Sequence, residues 1–208
     1  MTGAAVRKPP LWTVDFFRSW VESRPDEERW ELIDGVAVLM TPPTIAHQRI
    51  GSNLEQLLND ALEKHDPSRL AFQRLGIDLT PAMDNYQPEP DVVVMDAEFE
   101  PEQRYVQRFY LAAEVISASD SRKERKGDEV WAEKKRAVYR DHPSCLCVLL
   151  IEQDRYEVRL DVRTEAGWTS RTLRDFEDVI DLSAFGLTCR VADLYKGTPL
   201  GRRPAARR

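Results

Sequence analysis

The sequence has few cysteines and no long apolar run, and both shortages exclude classes of protein. Of its 208 residues only three are cysteine, at positions 145, 147 and 189. So small and odd a set argues against a disulfide framework and is typical of a reducing compartment, so we expect a cytoplasmic protein. No stretch reaches the roughly 18–20 apolar residues of a membrane helix, and the N terminus lacks the apolar core of a secretion signal. We therefore expect no membrane association.

Glycine-rich nucleotide-binding motifs and an excess of positive charge are also missing. Neither G-x-G-x-x-G nor G-x-x-x-x-G-K-[ST] occurs, which disfavours dinucleotide-dependent and P-loop enzymes. The chain has 30 Lys and Arg against 36 Asp and Glu, a net charge of −6. Such a charge opposes non-specific adhesion to nucleic acid, so any chemistry on nucleic acid needs a local site with its own cations. Basic residues cluster at 122–126 and in 201–208, and both clusters can also be read as solvated segments.

Hydrophobic periodicity predicts an α/β fold with a mixed central sheet flanked by helices. Apolar residues at helical spacing predict one helix after Thr13 and two more over 47–65 and about 128–140. The Asp34-Gly35 pair predicts a type I′ hairpin turn. Strands are predicted at 30–33, 36–40, 72–79, 91–95, 109–116, 145–151, 156–162 and 168–173, and the rest as loop and a short terminal helix. We expect a flexible N-terminal segment (1–11), one domain (12–200) and a basic disordered tail (201–208).

Two acidic residues do not fit the apolar strands that contain them. Glu114 interrupts the run from Leu111 to Ile116, and Asp91 opens the run Val92-Val93-Val94 directly after Pro90. A lone buried carboxylate costs several kcal/mol unless a cation meets it. Two hard oxygen ligands on neighbouring strands predict a Mg²⁺ or Mn²⁺ site. Singly, Asp91 can be read as a strand-start cap and Glu114 as the partner of Arg74 or Arg108.

A cation that contacts the phosphate is the usual third element of such a site. Lys135 is the candidate, on the helix that follows the Glu114 strand. Its neighbour Lys134 points about 100° away on the helical wheel, so only one of the two can face the acidic pair. Spacing alone fits a solvated Lys-Lys-Arg face equally well.

These residues resemble a known family. Pro90-Asp91 followed by Glu114 on the next strand is similar to the pattern of the PD-(D/E)XK nuclease superfamily. More narrowly, the chain resembles the bacterial putative restriction endonuclease family within it, long known only as a domain of unknown function. The matching segments run in one order from about residue 12 to 162. They are Trp30–Gly35, Met40–Pro43 with His47, Pro88–Val94, Glu114–Ser119, and Lys135 four residues before Tyr139.

The resemblance implies a restriction-endonuclease-like α/β core, divalent-metal hydrolysis of DNA phosphodiesters and, commonly, a homodimer. It makes Asp91 and Glu114 metal ligands. The superfamily's Glu-x-Lys would put lysine at position 116, where this chain has Ile116. The related family shares that feature, so the resemblance assigns the lysine to Lys135. Glu31 and His47 are the family's further polar positions.

The roles of Glu31 and His47 stay open at this level. Glu31 is either an additional carboxylate of the site or the exposed side of a hairpin. His47 either reaches a metal-bound water or a phosphate, or caps and packs its helix. Two other functions compete with a DNA endonuclease: an inactive nuclease-fold dimer acting as a binding or regulatory module, and a metal-dependent hydrolase of RNA or a nucleotide.

Overall fold

The computed structural model describes residues 11–80, 82–117 and 131–201, and there it shows a six-stranded sheet with helices on both faces. The helices are α1 (Val14–Val21), α2 (Ile45–His65), α3 (Trp131–Asp141) and α4 (Val191–Leu194), with a 3₁₀ turn at Ser183–Phe185. The strands are β1 (Trp30–Ile33), β2 (Val36–Leu39), β3 (Arg69–Gln73), β4 (Gly76–Ile77), β5 (Val92–Asp96), β6 (Tyr105–Val106), β7 (Phe109–Ile116), β8 (Cys147–Glu152), β9 (Val158–Thr164), β10 (Gly167–Leu173), β11 (Val179–Leu182) and β12 (Leu187–Arg190). The mixed α/β class predicted from the sequence is confirmed.

The central sheet has the strand order β10-β9-β8-β7-β5-β3. Only β7 and β8 run parallel, and the other neighbours are antiparallel. Alternate residues of the buried strand β5 serve opposite faces, as the period of a strand requires. Val92 and Val94 pack with α2, whereas Val93 and Met95 pack on the side of α3.

The β1–β2 hairpin and α1 form a smaller unit beside the sheet. Asp34 and Gly35 both have positive φ, 53° and 71°, as the predicted type I′ turn requires. A Cβ at Gly35 would lie 2.6 Å from the Cβ of Leu11, so glycine is needed there for space as well as for conformation. The hairpin carries Glu31 on a strand whose inner side is buried.

Two predictions about strands are wrong. The single strand expected at 72–79 is two strands, because Arg74 adopts a left-handed φ of 56° and ends β3. After this break β4 leaves the central sheet and pairs with β6. The segment after residue 173, predicted as loop and helix, also contains the β11–β12 hairpin. Its apolar residues alternate over only four positions on each strand, too few for the pattern to stand out, yet Ile180 and Leu182 complete the core under α2.

Several expectations concern residues outside the described ranges. They are the segment 1–10, the start of the predicted helix at 128–130, the basic stretch 122–126 and the tail from 202 onward. In the part of the chain that is described, no helix is long and apolar enough to cross a membrane.

Candidate active site

Sheet register brings the two predicted carboxylates together. The antiparallel ladder between β5 and β7 pairs Val92 with Ala113, so Asp91 lies one position further, across from Glu114. The Oδ2 atom of Asp91 accepts a hydrogen bond from the backbone N–H of Val115 at 2.7 Å. Residues opposite each other in an antiparallel pair have Cβ atoms about 5 Å apart, a spacing at which two carboxylates can share one ion.

Glu114 lies on the face of β7 that α3 covers, and there it meets Lys135. The Lys135 Nζ atom is 2.8 Å from Oε1 of Glu114 and 3.0 Å from Oε2 of Glu31. All three residues are nearly inaccessible, with 6%, 5% and 3% exposure for Glu114, Lys135 and Glu31. The ammonium is therefore clamped between carboxylates from two different strands. Neither Arg74 nor Arg108 fills this place, and Arg108 pairs with Asp96 instead.

The neighbouring lysine has a different environment. Lys134 pairs with Asp34 of the hairpin turn at 3.1 Å, and its side chain is 21% exposed. The helix thus turns Lys135 towards the acidic pair and Lys134 towards the rim, as the 100° separation requires. A solvated face is the wrong description of Lys135.

Tyr139 also contacts this group of residues, although from the sequence it was named only as part of the pattern around Lys135 and given no role. It lies one helical turn after Lys135 and is fully buried, and its hydroxyl donates to Oε1 of Glu114 at 2.7 Å. The signal was present, since residues four apart share one face of a helix. A buried tyrosine following a functional lysine at this spacing is, however, more simply read as core.

His47 approaches the site from the first turn of α2. The Thr44 side chain caps this helix by accepting from the His47 N–H at 3.1 Å, which fixes where the imidazole leaves the helix. The His47 Nε2 atom lies 3.2 Å from Oδ2 of Asp91. The structure thus places His47 against the Asp91 carboxylate. Glu31 is buried and ion-paired, so the reading of it as the exposed side of a hairpin is wrong.

Burial and crowded charge shift the pKa values of these groups. Burial raises the pKa of Glu114 to about 8; Lys135 opposes the rise, and the carboxylates of Asp91 and Glu31 add to it. Burial also raises the pKa of Glu31, again against the effect of Lys135. Burial alone would lower the pKa of Lys135, but Glu114 and Glu31 raise it above its usual value, so the amine stays charged. Burial and then Glu114 place the pKa of the Tyr139 phenol well above its ordinary value, so it remains a donor.

All five residues predicted for the site line one cleft of about 590 Å³. The cleft has a polar wall, formed by Glu31, His47, Asp91, Glu114 and Lys135. The cleft also has an apolar lining, and much of it comes from β2 and the turn after it, including Val38, Leu39, Met40, Pro42 and Pro43. The cleft therefore combines buried charged side chains with apolar ones.

The donor set suits a hard divalent cation. Among the described residues no cluster of three or more His, Cys, Asp or Glu side chains is arranged to hold a metal. Mg²⁺ does not need one, because it usually keeps several waters and binds one or two carboxylates plus substrate phosphates. The contacts of Asp91 use Oδ2 and those of Glu114 use Oε1. No described residue hydrogen-bonds to Oδ1 of Asp91 or Oε2 of Glu114, so the residues fit such an ion.

The net charge of the site also favours a divalent cation. When all are ionised, the carboxylates of Glu31, Asp91 and Glu114 and the ammonium of Lys135 leave two net negative charges. A divalent cation balances that charge, and its field would oppose the raised pKa of Glu114.

Comparison with known proteins identifies relatives of the whole fold. Residues 14–192 match the family model described as "Uma2: Putative restriction endonuclease". Among solved structures, the fold is similar to that of a protein from Anabaena variabilis described as a "putative nuclease" of a domain family of unknown function. That likeness has a TM-score of 0.69 and 16% sequence identity, and covers 88% of this chain and 97% of that one. At this identity it shows the fold alone. No curated protein gives a significant match.

Proposed function

Because the chain belongs to the Uma2 family of restriction-endonuclease-like proteins, we propose that it is a divalent-metal-dependent endonuclease that hydrolyses phosphodiester bonds of DNA. The proposal depends above all on one observation. Two carboxylates from adjacent strands, a buried lysine and a histidine meet in one cleft, although they come from four separate segments of the chain.

Asp91 and Glu114 are the proposed metal ligands, through the oxygens that face no internal hydrogen-bond donor. A bound Mg²⁺ or Mn²⁺ would supply a Lewis acid for the scissile phosphate and lower the pKa of a water molecule. The chain itself holds the two carboxylates in place. The Val115 N–H and His47 fix Asp91, while Tyr139 and Lys135 fix Glu114.

Lys135 is the proposed cation for the phosphate. Its charge is secured by two carboxylates, so it presents an ammonium to the cleft at any physiological pH. Glu31 acts through Lys135 and keeps Nζ at the wall of the cleft. In a site shielded from water, such a preorganised charge stabilises the negative charge that develops on phosphate oxygens in the transition state.

The second candidate is a nuclease fold without catalysis, acting as a binding or regulatory module. The direct contacts of Lys135 with both glutamates favour it, because they give each buried carboxylate a cationic partner without any metal ion. Binding of metal separates the two candidates, since an inert site gains no thermal stability from Mn²⁺.

Three further proposals concern the whole chain. Residues 12–200 form the nuclease domain, with 1–11 and 201–208 as appendages. The protein acts as a homodimer. The exposed apolar side chains of Leu39 and Ile45 near the cleft support a dimer. Light scattering on the purified chain tests the dimer, and a monomer at all concentrations would exclude it. The protein works in the cytoplasm, in keeping with three free buried cysteines.

The decisive experiment compares Asp91→Asn and Glu114→Gln with the wild type on DNA and RNA of the same sequence, with Mn²⁺ or Mg²⁺. Both variants keep a hydrogen-bond acceptor and lose the charge, so each should fold and lose metal-dependent DNA cleavage by at least about a hundredfold. Asp96→Asn is the matched control, because Asp96 lies at the far end of the same strand and outside the cleft. Full activity in either site variant, or cleavage of RNA alone, contradicts the proposal.

A further inference from the structure

Arg74 occupies an unusual place beside the carboxylates. Its backbone N–H donates to the carbonyl oxygen of Asp91 at 3.4 Å, one step beyond the pairing of Gln73 with Val92. On the other side of the same strand, Asp91 lies across from Glu114. Arg74, Asp91 and Glu114 therefore form one row across three neighbouring segments, and Arg74 lines the cleft.

The backbone of Arg74 is strained. Its φ is 56°, and only one other non-glycine residue of the described chain, Asp34 in the hairpin turn, has a positive φ. This conformation costs a residue such as arginine about 1 kcal/mol or more, and glycine or asparagine would adopt it more easily. An arginine in this conformation is therefore a candidate for a function of its side chain.

Within the described part of the chain Arg74 has no ion-pair partner, unlike the other cations of the cleft. Arg29 pairs with Glu89, and Lys135 pairs with Glu31 and Glu114. Among the described residues no carboxylate lies within ion-pair distance of the Arg74 guanidinium, and the residue is exposed. An exposed arginine of this kind repels a metal ion but attracts a phosphate, which its planar fork can hold through two hydrogen bonds.

We propose that Arg74 binds a backbone phosphate next to the scissile one, so that the cleft selects polynucleotides over esters with a single phosphate. The row across the sheet supplies the spacing. Neighbouring strands are about 4.8 Å apart, so the Arg74 backbone lies about 10 Å from that of Glu114. That distance lets the long arginine side chain hold a phosphate other than the one at the carboxylates. The scissile phosphate would lie beside Asp91, Glu114 and Lys135, and Arg74 follows Asp91 on the side away from Glu114. This inference rests on the proposed nuclease function and adds the residue by which the cleft would distinguish a polynucleotide from a single-phosphate ester.

The test compares two substrates in the full-length protein with Mn²⁺: an oligonucleotide and bis(p-nitrophenyl) phosphate, a diester with only one phosphate. The variant is Arg74→Asn, because asparagine tolerates the left-handed backbone while removing the charge. We expect KM for the oligonucleotide to rise roughly tenfold or more, the usual effect of losing one charged hydrogen bond. The slope of log KM against log salt should fall by about one. Hydrolysis of bis(p-nitrophenyl) phosphate should stay within about twofold of wild type.

Two variants control for charge and for folding. Arg171→Asn removes another exposed arginine, from β10 at the opposite edge of the sheet, and should leave the hydrolysis of both substrates unaffected. Arg74→Lys keeps the charge and should keep the salt slope. If Arg74→Asn melts early, Arg74→Gly replaces it, because glycine relieves the strained backbone.

The possible outcomes separate this inference from the proposed function. If the wild type cleaves the oligonucleotide and Arg74→Asn has the same KM and salt slope, Arg74 is not a phosphate ligand, although the nuclease function stands. Equal loss on both substrates places Arg74 at the scissile phosphate or makes it a support for Asp91, and overturns the substrate class proposed here. If the wild type neither cleaves nor binds any polynucleotide, the proposed function fails, and the role of Arg74 fails with it.

Discussion

Replacing Lys135 by methionine should destabilise the protein strongly and in a pH-dependent way. The substitution leaves the carboxylates of Glu31 and Glu114 facing each other, with only 4% and 8% of their side chains exposed. Removing one member of a buried ion pair costs about 3–5 kcal/mol, because the remaining charges stay desolvated. In a chain of this length that loss lowers Tm by on the order of 10 °C.

The pH dependence follows from where the two carboxylates titrate. Lys135 lowers the pKa of both glutamates, so its removal raises each pKa further above the unfolded value. A folded state that holds protons more tightly than the unfolded state loses stability as pH rises through that interval. The difference in stability between the variant and the wild type should therefore be smallest at about pH 5 and clearly larger at about pH 8.5, because the folded variant keeps protons on its glutamates that the unfolded chain has lost.

Urea denaturation of Lys135→Met and Lys134→Met at both pH values measures the effect. Lys134 is the matched control, since it precedes Lys135 on the same helix but pairs with Asp34 near the surface, where an ion pair contributes at most about 1 kcal/mol. Mn²⁺ should restore part of the lost stability, because the ion replaces the missing positive charge. Equal destabilisation by the two substitutions, or a loss that does not depend on pH, would refute the account of the buried triad.

Three further predictions concern the same site and its support. In the wild type without metal, the free energy of unfolding should fall as the pH rises from about 4.5 to 8, because the folded protein holds a proton on Glu114 that the unfolded chain has lost. Metal ligands must be deprotonated, so the increase in Tm caused by Mn²⁺ should be larger above this pH interval than within it, which calorimetry measures. Tyr139→Phe removes a hydrogen bond to Glu114 and should cost about 1–3 kcal/mol in denaturant titration and move the pH profile of cleavage upward, whereas an unchanged profile would show that the phenol does not affect Glu114. Gly35→Ala forces a Cβ to within 2.6 Å of Leu11 at a positive φ, so it should lower stability by about 1–3 kcal/mol, and an unchanged Tm would show that the hairpin yields easily.

The features predicted correctly from the sequence are those that local patterns encode. The periodicity of apolar residues predicted the long helix α2 and the buried strand β5. The Asp34-Gly35 pair predicted the β1–β2 turn, where both residues have positive φ. The errors arose where tertiary context prevails. Nothing in the alternating pattern of 72–79 shows that the chain turns left-handed at Arg74, and the short β11–β12 hairpin is stabilised by the core it covers.

For the candidate site, the sequence by itself determined which residues are chemically out of place: a carboxylate within an apolar strand and a second at a strand start. Burial is expensive for such groups, so their presence alone indicates that they have partners. The tertiary structure alone decided which partners they have. The register of the sheet places Asp91 across from Glu114. The orientation of α3 directs Lys135, and not Lys134, towards this pair, and the β1–β2 hairpin, which is distant in sequence, places Glu31 against Lys135. These contacts join segments up to about a hundred residues apart, and local propensity cannot specify them because their energy comes from charges that meet only after the sheet and its helices have packed.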